Sequence, residues 1–124
     1  MNNAIISPQL AKKIKSKGIN LIHYSTKYLR NNFYIQYYYN DNDVLQHSES
    51  YLEQWTPTLT ILELVEFFKL DQNLFVDVIS QNYVSYLVTI TNTKNDKVVY
   101  SEIFDYGNEE EMYLTALEYI VDNL

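Results

Sequence analysis

Thirteen tyrosines and only two glycines stand among the 124 residues of this chain, and this ratio constrains its fold more than any other feature. A tyrosine side chain has a large apolar ring and one hydroxyl, which suits half-buried sheet positions and protein interfaces. Tyr37, Tyr38 and Tyr39 are consecutive, so a strand there carries tyrosine on both faces. Few glycines leave few places for phosphate-binding loops or strained catalytic turns. The ratio therefore favours a β-containing globular domain.

Composition and length predict a single globular domain over residues 1–124. The chain is 47% hydrophobic and 20% charged, which is too apolar for a disordered chain. No apolar run approaches the ~18 residues of a membrane span, and the first residues lack the basic and apolar segments of a secretory signal. Without cysteine there is no disulfide, thiolate metal site or cysteine nucleophile. We therefore expect a cytoplasmic protein without a membrane partner.

Charge is divided unevenly along the chain. Residues 1–40 contain six cations and no acid, whereas residues 41–124 contain three lysines and all 16 acids, for a net charge of −7. The acidic part repels nucleic acid, although the basic end could contact it. The chain has one arginine, the residue on which base readout most often depends. Nucleic acid is therefore an unlikely partner.

Three helix starts are marked by local capping patterns. Each begins with a small polar N-cap, followed by a proline or by acidic residues in the first turn. Late lysines and Gly18 end the first helix at about residue 17. The predicted helices are 8–17 after Ser7, one that opens at Thr56 and Pro57, and one that follows Asn108 with Glu111 three residues later.

Aromatic and β-branched residues predict strands between these helices. Residues 40–43 have the composition of a turn, and residues 19–31 fit either a strand or a turn of helix. Short links between strands indicate antiparallel pairing. The predicted strands are 33–39, 44–51, 74–80, 83–92 and 98–105. The result is an α+β fold of three helices packed on an antiparallel sheet, in the order α-β-β-α-β-β-β-α.

No motif in the sequence carries recognisable chemistry. His23 and His47 are the only histidines and lie 24 residues apart, without the spacing of a metal-binding helix. There is no nucleophile elbow of the G-x-S-x-G type and no glycine-rich phosphate loop. We therefore predict a protein that is not an enzyme, with no catalytic residues, metal or cofactor. The alternative is a dispersed active site that joins one histidine to carboxylates.

The tyrosine-rich segment is the predicted binding site, formed by Tyr34, Tyr37, Tyr38 and Tyr39. Exposed on a sheet, these rings would suit a protein interface. A stacking platform for single-stranded nucleic acid is a second interpretation, but Asp41 and Asp43 follow directly where a basic groove is needed. Ordinary core packing is the third.

The order of these patterns resembles a family of small proteins encoded by phages and prophages of Bacteroidetes and related gut bacteria. The resemblance rests on SPQLAKKIKSKGI at 7–19, the Tyr-rich hairpin, WTPTL at 55–59 and YLTALEYIVDNL at 113–124. It covers nearly the whole chain and implies the same layout of elements. The chain departs from the family at VEFFK, residues 65–69, where relatives continue with a tryptophan and basic residues. The resemblance implies no activity and supplies no functional residues.

Two functional hypotheses follow. The first is a non-enzymatic protein-binding module of phage or mobile-element origin, whose tyrosine-bearing sheet engages a host or phage protein, or a second copy as a homodimer. The alternative is nucleic-acid binding, or imitation of nucleic acid by the acidic surface.

Overall fold

The computed structural model describes residues 4–22, 36–48 and 54–124, which divide into two compact units. The N-terminal unit is Ile5–Thr60, and the C-terminal unit contains Ile61–Leu124 together with Ala4. The expectation of a single domain over 1–124 stays a prediction. Among the described residues, no helix combines the length and apolar character needed to cross a membrane.

Helix α1 (Pro8–Ser16) opens the N-terminal unit and confirms the first predicted helix. The Ser7 side chain accepts a hydrogen bond from the backbone N–H of Leu10 at 3.2 Å, which satisfies one of the unpaired N–H groups of the first turn. Leu10, Ala11 and Ile14 are buried on one side of the helix. The helix therefore forms where capping and an apolar stripe coincide.

Gly18 ends α1 in the manner that the sequence predicts. Its φ of +82° is in the left-handed region, and its N–H donates to the Lys15 carbonyl at 3.0 Å. The following N–H, of Ile19, donates to the Ile14 carbonyl at 3.4 Å. These two bonds form a Schellman motif, which satisfies carbonyls that the last turn leaves without helical partners.

A three-stranded antiparallel sheet completes the described part of the N-terminal unit. Its strands are β1 (Gln36–Tyr39), β2 (Leu45–Ser48) and β3 (Thr56–Thr58), with β1 in the centre. The Asn40 side chain accepts from the N–H groups of Asn42 and Val44 at 2.9 and 3.1 Å, and this confirms the predicted turn.

Strand β3 stands where the sequence predicts the start of the second helix, and that prediction is wrong. Pro57 pairs with Tyr38 of the central strand, and β3 is an edge strand. Proline is tolerated on an edge because its missing N–H costs no bond to a further strand. The helix that Thr56 and Pro57 were expected to open begins at Ile61 instead.

The C-terminal unit is a meander between two helices. Helix α2 (Ile61–Gln72) is followed by strands β4 (Leu74–Gln81), β5 (Ser85–Asn92) and β6 (Lys97–Phe104) and by helix α3 (Glu109–Asp122). The sheet order is β4-β5-β6, antiparallel throughout, with a bulge near Ile90 and Thr91. The Asn108 side chain caps α3 by accepting from the Glu111 N–H at 2.9 Å, as predicted. The described elements thus confirm an α+β fold, in the order α-β-β-β-α-β-β-β-α and with two sheets.

Both helices of this unit pack on the same face of its sheet. Helix α2 contacts β4 and α3, and α3 contacts β4 and β5. The sheet residues beneath them are Val76, Val88 and Ile90, which are almost completely buried. The helix residues buried in this core are Ile61, Leu64, Phe67, Phe68, Met112, Ala116, Leu117, Ile120 and Val121. No described element of this unit covers the opposite face of the sheet.

The two glycines allow a matched test of the caps. Gly18→Ala should lower the free energy of unfolding by about 1–2 kcal/mol, because a Cβ there meets no atom within 4 Å and only the left-handed backbone opposes it. Gly107→Ala should cost more. It has a φ of +91°, and a Cβ there would lie 2.9 Å from Cε of Met112, which is buried and has little room to shift, whereas the exposed Glu111 carboxylate can move aside. Urea denaturation of both variants measures the difference, and a smaller loss for Gly107→Ala would contradict this description.

Candidate functional site

The structure places half of the predicted tyrosine site, Tyr38 and Tyr39, in the core of the N-terminal unit. Tyr38 is 2% exposed and its ring centroid lies 6.1 Å from that of Trp55. Tyr39 is also buried, and its hydroxyl donates to the Ile6 carbonyl. Tyr37 is half-buried, with its ring edge-to-face on His47 at 4.5 Å. Tyr34 lies outside the described residues. Two of the four predicted side chains are therefore core, and Tyr37 is the one described as partly accessible.

The described residues provide little for catalysis or metal binding. They contain no group of three or more His, Asp or Glu side chains that could hold a metal ion. His47 is exposed and in contact with Tyr37, and His23 lies outside the described residues. The exposed position of His47 therefore does not support the alternative of an active site in which a histidine lies in a pocket with carboxylates.

A different apolar surface lies on the uncovered face of the β4–β5–β6 sheet. Ile79, Leu87 and Ile103 are directly paired across the three strands, so their side chains form one row on this face. Ile79 is 46% and Ile103 59% exposed. The next row, Asp77, Thr89 and Ser101, is polar. The apolar row is therefore a separate band at the end of the sheet that holds the β4–β5 turn.

The β4–β5 turn projects two more apolar side chains beside this row. Asn82 and Tyr83 both have positive φ, +51° and +64°, and the Val84 N–H donates to the Gln81 carbonyl at 3.2 Å. This is the φ pattern of a type I′ turn, in which the second position is usually glycine. Tyr83 is fully exposed and Val84 is 71% exposed. Tyr83 therefore has a strained backbone conformation, and its bulky ring makes no packing contact that would offset the strain.

Tyr106 adds a second exposed ring at the same end of the sheet. It follows β6 by two residues and is 70% exposed. Its ring stands edge-to-face on Phe104 with centroids 6.0 Å apart, and Phe104 is paired with Tyr86 at the start of β5. Tyr86 shares the helix-covered face with Val88, so Tyr106 lies on that side and not beside the apolar row. We name the apolar row and the adjoining turn the hairpin-end patch. It comprises Ile79, Tyr83, Val84, Leu87 and Ile103.

Three other tyrosines are held in the neutral form by their surroundings. Burial, the hydrogen bond to Glu102 and the charge of that carboxylate together raise the pKa of Tyr100 to about 12. The pKa of Tyr39 is raised mainly by burial and secondly by the negative charge of Asp43. The pKa of Tyr113 is raised mainly by burial and secondly by the negative charges of Glu109 and Asp77. A tyrosine with a raised pKa remains a neutral hydrogen-bond donor near neutral pH.

Sequence reasoning missed the hairpin-end patch for a local reason. Tyr83 was expected to begin the strand 83–92, whereas β5 begins at Ser85 and Tyr83 lies in the turn. The signal was Asn82, since asparagine tolerates left-handed backbone and often marks a turn.

Comparison of the chain with protein-family models, curated proteins and solved structures finds no match in any of the three. The function is therefore argued from the geometry of the described surfaces.

Tyr83→Gly should stabilise the fold although it removes a large side chain. The left-handed backbone costs a non-glycine residue roughly 1–2 kcal/mol, and glycine loses only ~0.5–1 kcal/mol more backbone entropy on folding. The free energy of unfolding should rise by up to about 1 kcal/mol in urea denaturation. Asn82→Gly is the matched control and should change it less, because asparagine tolerates this conformation. Destabilisation by Tyr83→Gly would show that the ring is packed and not free.

Tyr100 should ionise late in an alkaline titration. Its hydroxyl donates to the Glu102 carboxylate at 2.5 Å, and its pKa of about 12 stands above the ordinary 10.0. Its contribution to stability is therefore complete below pH 10 and is lost as the pH rises towards 12. The phenolate absorbance of the wild type minus that of Tyr100→Phe isolates this group. Glu102→Gln should lower the midpoint, and an unchanged midpoint would contradict the assigned cause.

Proposed function

We propose that this chain is a small non-enzymatic protein-binding module that engages its partner through the hairpin-end patch. The observation that carries the proposal is Tyr83, a fully exposed aromatic side chain at φ +64° on the tip of a hairpin. Residues held in sparsely populated backbone regions cluster at binding and catalytic sites, where function compensates for their cost. Among the described residues no cluster of histidine and carboxylate side chains accompanies Tyr83, so binding is the function that this strain supports best.

The surroundings of Tyr83 support a protein partner over a small molecule. The patch is a row of aliphatic side chains with Tyr83 on the turn beside it, and a protruding surface inserts into a partner's pocket instead of enclosing a ligand. Tyrosine is also enriched among the interface residues that contribute most binding energy. The five side chains of the patch are few, which fits a small and transient interface.

The proposed kind of partner and the proposed compartment rest on the resemblance alone. The likeness to phage and prophage proteins favours a host or phage protein as the partner and the cytoplasm as the site of action. Both are parts of the proposal.

Direct nucleic-acid binding through the tyrosine triplet receives no support from the geometry. Tyr38 and Tyr39 are buried and cannot stack with bases. In the basic helix, the Lys12 ammonium is paired with Asp43 at 2.5 Å.

Site-specific photocrosslinking in the cells that encode the protein tests the proposal. A benzophenone amino acid replaces Tyr83 in one variant and the exposed Lys94, at the opposite end of the same sheet, in the control. We expect discrete crosslinked protein adducts from position 83 and few from position 94. Equal adducts from both positions, or none from position 83, would contradict the proposal.

A further inference from the structure

Strand β6 is the most open strand of the C-terminal sheet. It lies at one edge of the sheet, and within the described part of the chain it pairs only with β5. Helix α3 packs mainly on β4 and β5, and six of the eight β6 residues are exposed. Among them are three aliphatic side chains: Val98 (58%), Val99 (45%) and Ile103 (59%). Strand β6 is therefore open on both faces as well as along its edge.

The edge of β6 suits the addition of another strand. Every second residue of an antiparallel strand directs its N–H and C=O away from its partner, here towards the open side. The strand contains no proline or glycine. Its bulge lies near the β5–β6 turn, so Tyr100–Phe104 remains a regular edge. Unpaired backbone groups along such an edge are a template for a strand of another chain.

Three rows of side chains cross the uncovered face and end at β6. The middle row is polar and consists of Asp77, Thr89 and Ser101. The row at the hairpin end is Ile79, Leu87 and Ile103, and the row at the other end is Phe75, Thr91 and Val98. Each outer row is two β5 residues from the middle row and ends in an exposed aliphatic side chain on β6. The pattern is therefore symmetric about Ser101.

We infer that a second copy of this chain pairs with β6, strand to strand and antiparallel, about a two-fold axis at Ser101. This homodimer goes beyond the proposed function, which concerns a different partner. The axis is perpendicular to the sheet, so the two three-stranded sheets join into one continuous sheet. A two-fold interface brings the same surface of both copies together, and the symmetric order of the rows is what such a contact requires.

The register about Ser101 places side chains of the same character opposite each other. Ser101 faces Ser101 of the second copy, and two hydroxyls in this position can form a hydrogen bond. Val98 of each copy faces Ile103 of the other, so both outer rows continue across the interface. A shift of the axis by one residue in either direction would set Ser101 against Val98 or Ile103 and lose this match.

Charge favours β6 over β4, the other edge of the sheet. In the Ser101 register Glu102 faces Tyr100, and Lys97 faces Phe104, so no two like charges are opposed within the paired strands. The equivalent pairing of two β4 strands would be centred on Asp77 and would oppose two carboxylates. The helices of this unit leave β6 accessible, since they pack mainly on β4 and β5.

The dimer leaves the tip of the hairpin accessible. Tyr83 and Val84 lie in the turn that joins β4 to β5, and Ile103 is the one member of the hairpin-end patch on β6. Dimerisation and the proposed partner binding therefore depend on different residues. Because a single strand pair is a small interface, we expect a dissociation constant in the micromolar range.

Single-cysteine crosslinking measures the register directly, because the chain contains no cysteine. Ser101→Cys places two thiols opposite each other, with Cα atoms about 4.5–5.5 Å apart, which is within the range of a disulfide. Ile103→Cys separates its two thiols by four residues along the strands, roughly 13 Å. Ser80→Cys, exposed on β4, controls for random collision. With diamide as the oxidant, the Ser101→Cys dimer should form at least about tenfold faster than the other two.

Sedimentation velocity over a concentration series tests the same axis without a crosslink. Ser101→Asp and Ser101→Lys each oppose two like charges, so each should weaken the wild-type dimer by about tenfold. An equimolar mixture of the two variants should regain a dimer, because opposite charges then face each other. This recovery also shows that both variants are folded. Ser80→Asp and Tyr83→Ser, which lie outside the interface, should leave dimerisation unchanged.

Three results would overturn the inference. The first is a wild-type monomer at every concentration, and the second is equal crosslinking at positions 80, 101 and 103. The third is a dimer that is abolished by Tyr83→Ser and insensitive to charge at position 101, which would assign self-association to the hairpin-end patch. Photocrosslinking at position 83 tests the proposed function separately, because Tyr83 stays exposed in the β6 dimer.

Discussion

The packing of α2 and α3 on one face of the β4–β5–β6 sheet is the interaction on which the rest of the C-terminal unit depends. Val88 and Ile90, in the central strand, have no exposed surface. Burying them and the facing helix side chains supplies the main hydrophobic stabilisation of this unit. Because both helices lie on the same face, the alternation of side chains along each strand leaves the other residues of these strands without a cover.

That arrangement explains why the hairpin-end patch exists. An uncovered sheet face is commonly polar, and the middle row of Asp77, Thr89 and Ser101 follows this rule. The row Ile79, Leu87 and Ile103 does not follow it, and the β4–β5 turn adds Tyr83 in a position that glycine would occupy at lower cost. Both departures raise the free energy of the isolated chain and lie at the same end of the sheet. Phe75 and Val98 are also exposed at the opposite end of this face, so Tyr83 is the feature that distinguishes the hairpin end.

The features that could be predicted from the sequence are local. Ser7, Gly18 and Asn108 mark helix ends through hydrogen bonds to residues within one turn, so a short stretch of sequence contains the whole interaction. The three strands of the meander were predicted within about two residues at most of their ends for a similar reason, since alternation and short links determine them. The α+β class follows from the order of these elements.

The features that could not be predicted depend on distant parts of the chain. Pro57 could have opened a helix, and only its position on the edge of a sheet beside Tyr38 makes it a strand residue. The tyrosine triplet has the composition of an interface, yet β1 is the central strand of its sheet and two of its rings are buried. Whether an aromatic residue packs or projects is decided by which elements cover it, and the sequence pattern of one strand does not contain that information.

The central claim is that, among the tyrosines that the structure describes, the most exposed lie at the hairpin end of the second sheet, whereas Tyr38 and Tyr39 of the triplet are buried. Limited nitration with tetranitromethane, followed by peptide mass spectrometry, measures the accessibility of individual tyrosines. The account predicts early nitration of Tyr83 and Tyr106, with Tyr38 and Tyr39 protected while the fold is intact. Early nitration of Tyr38 and Tyr39, with Tyr83 and Tyr106 protected, would contradict it and return the binding surface to the triplet.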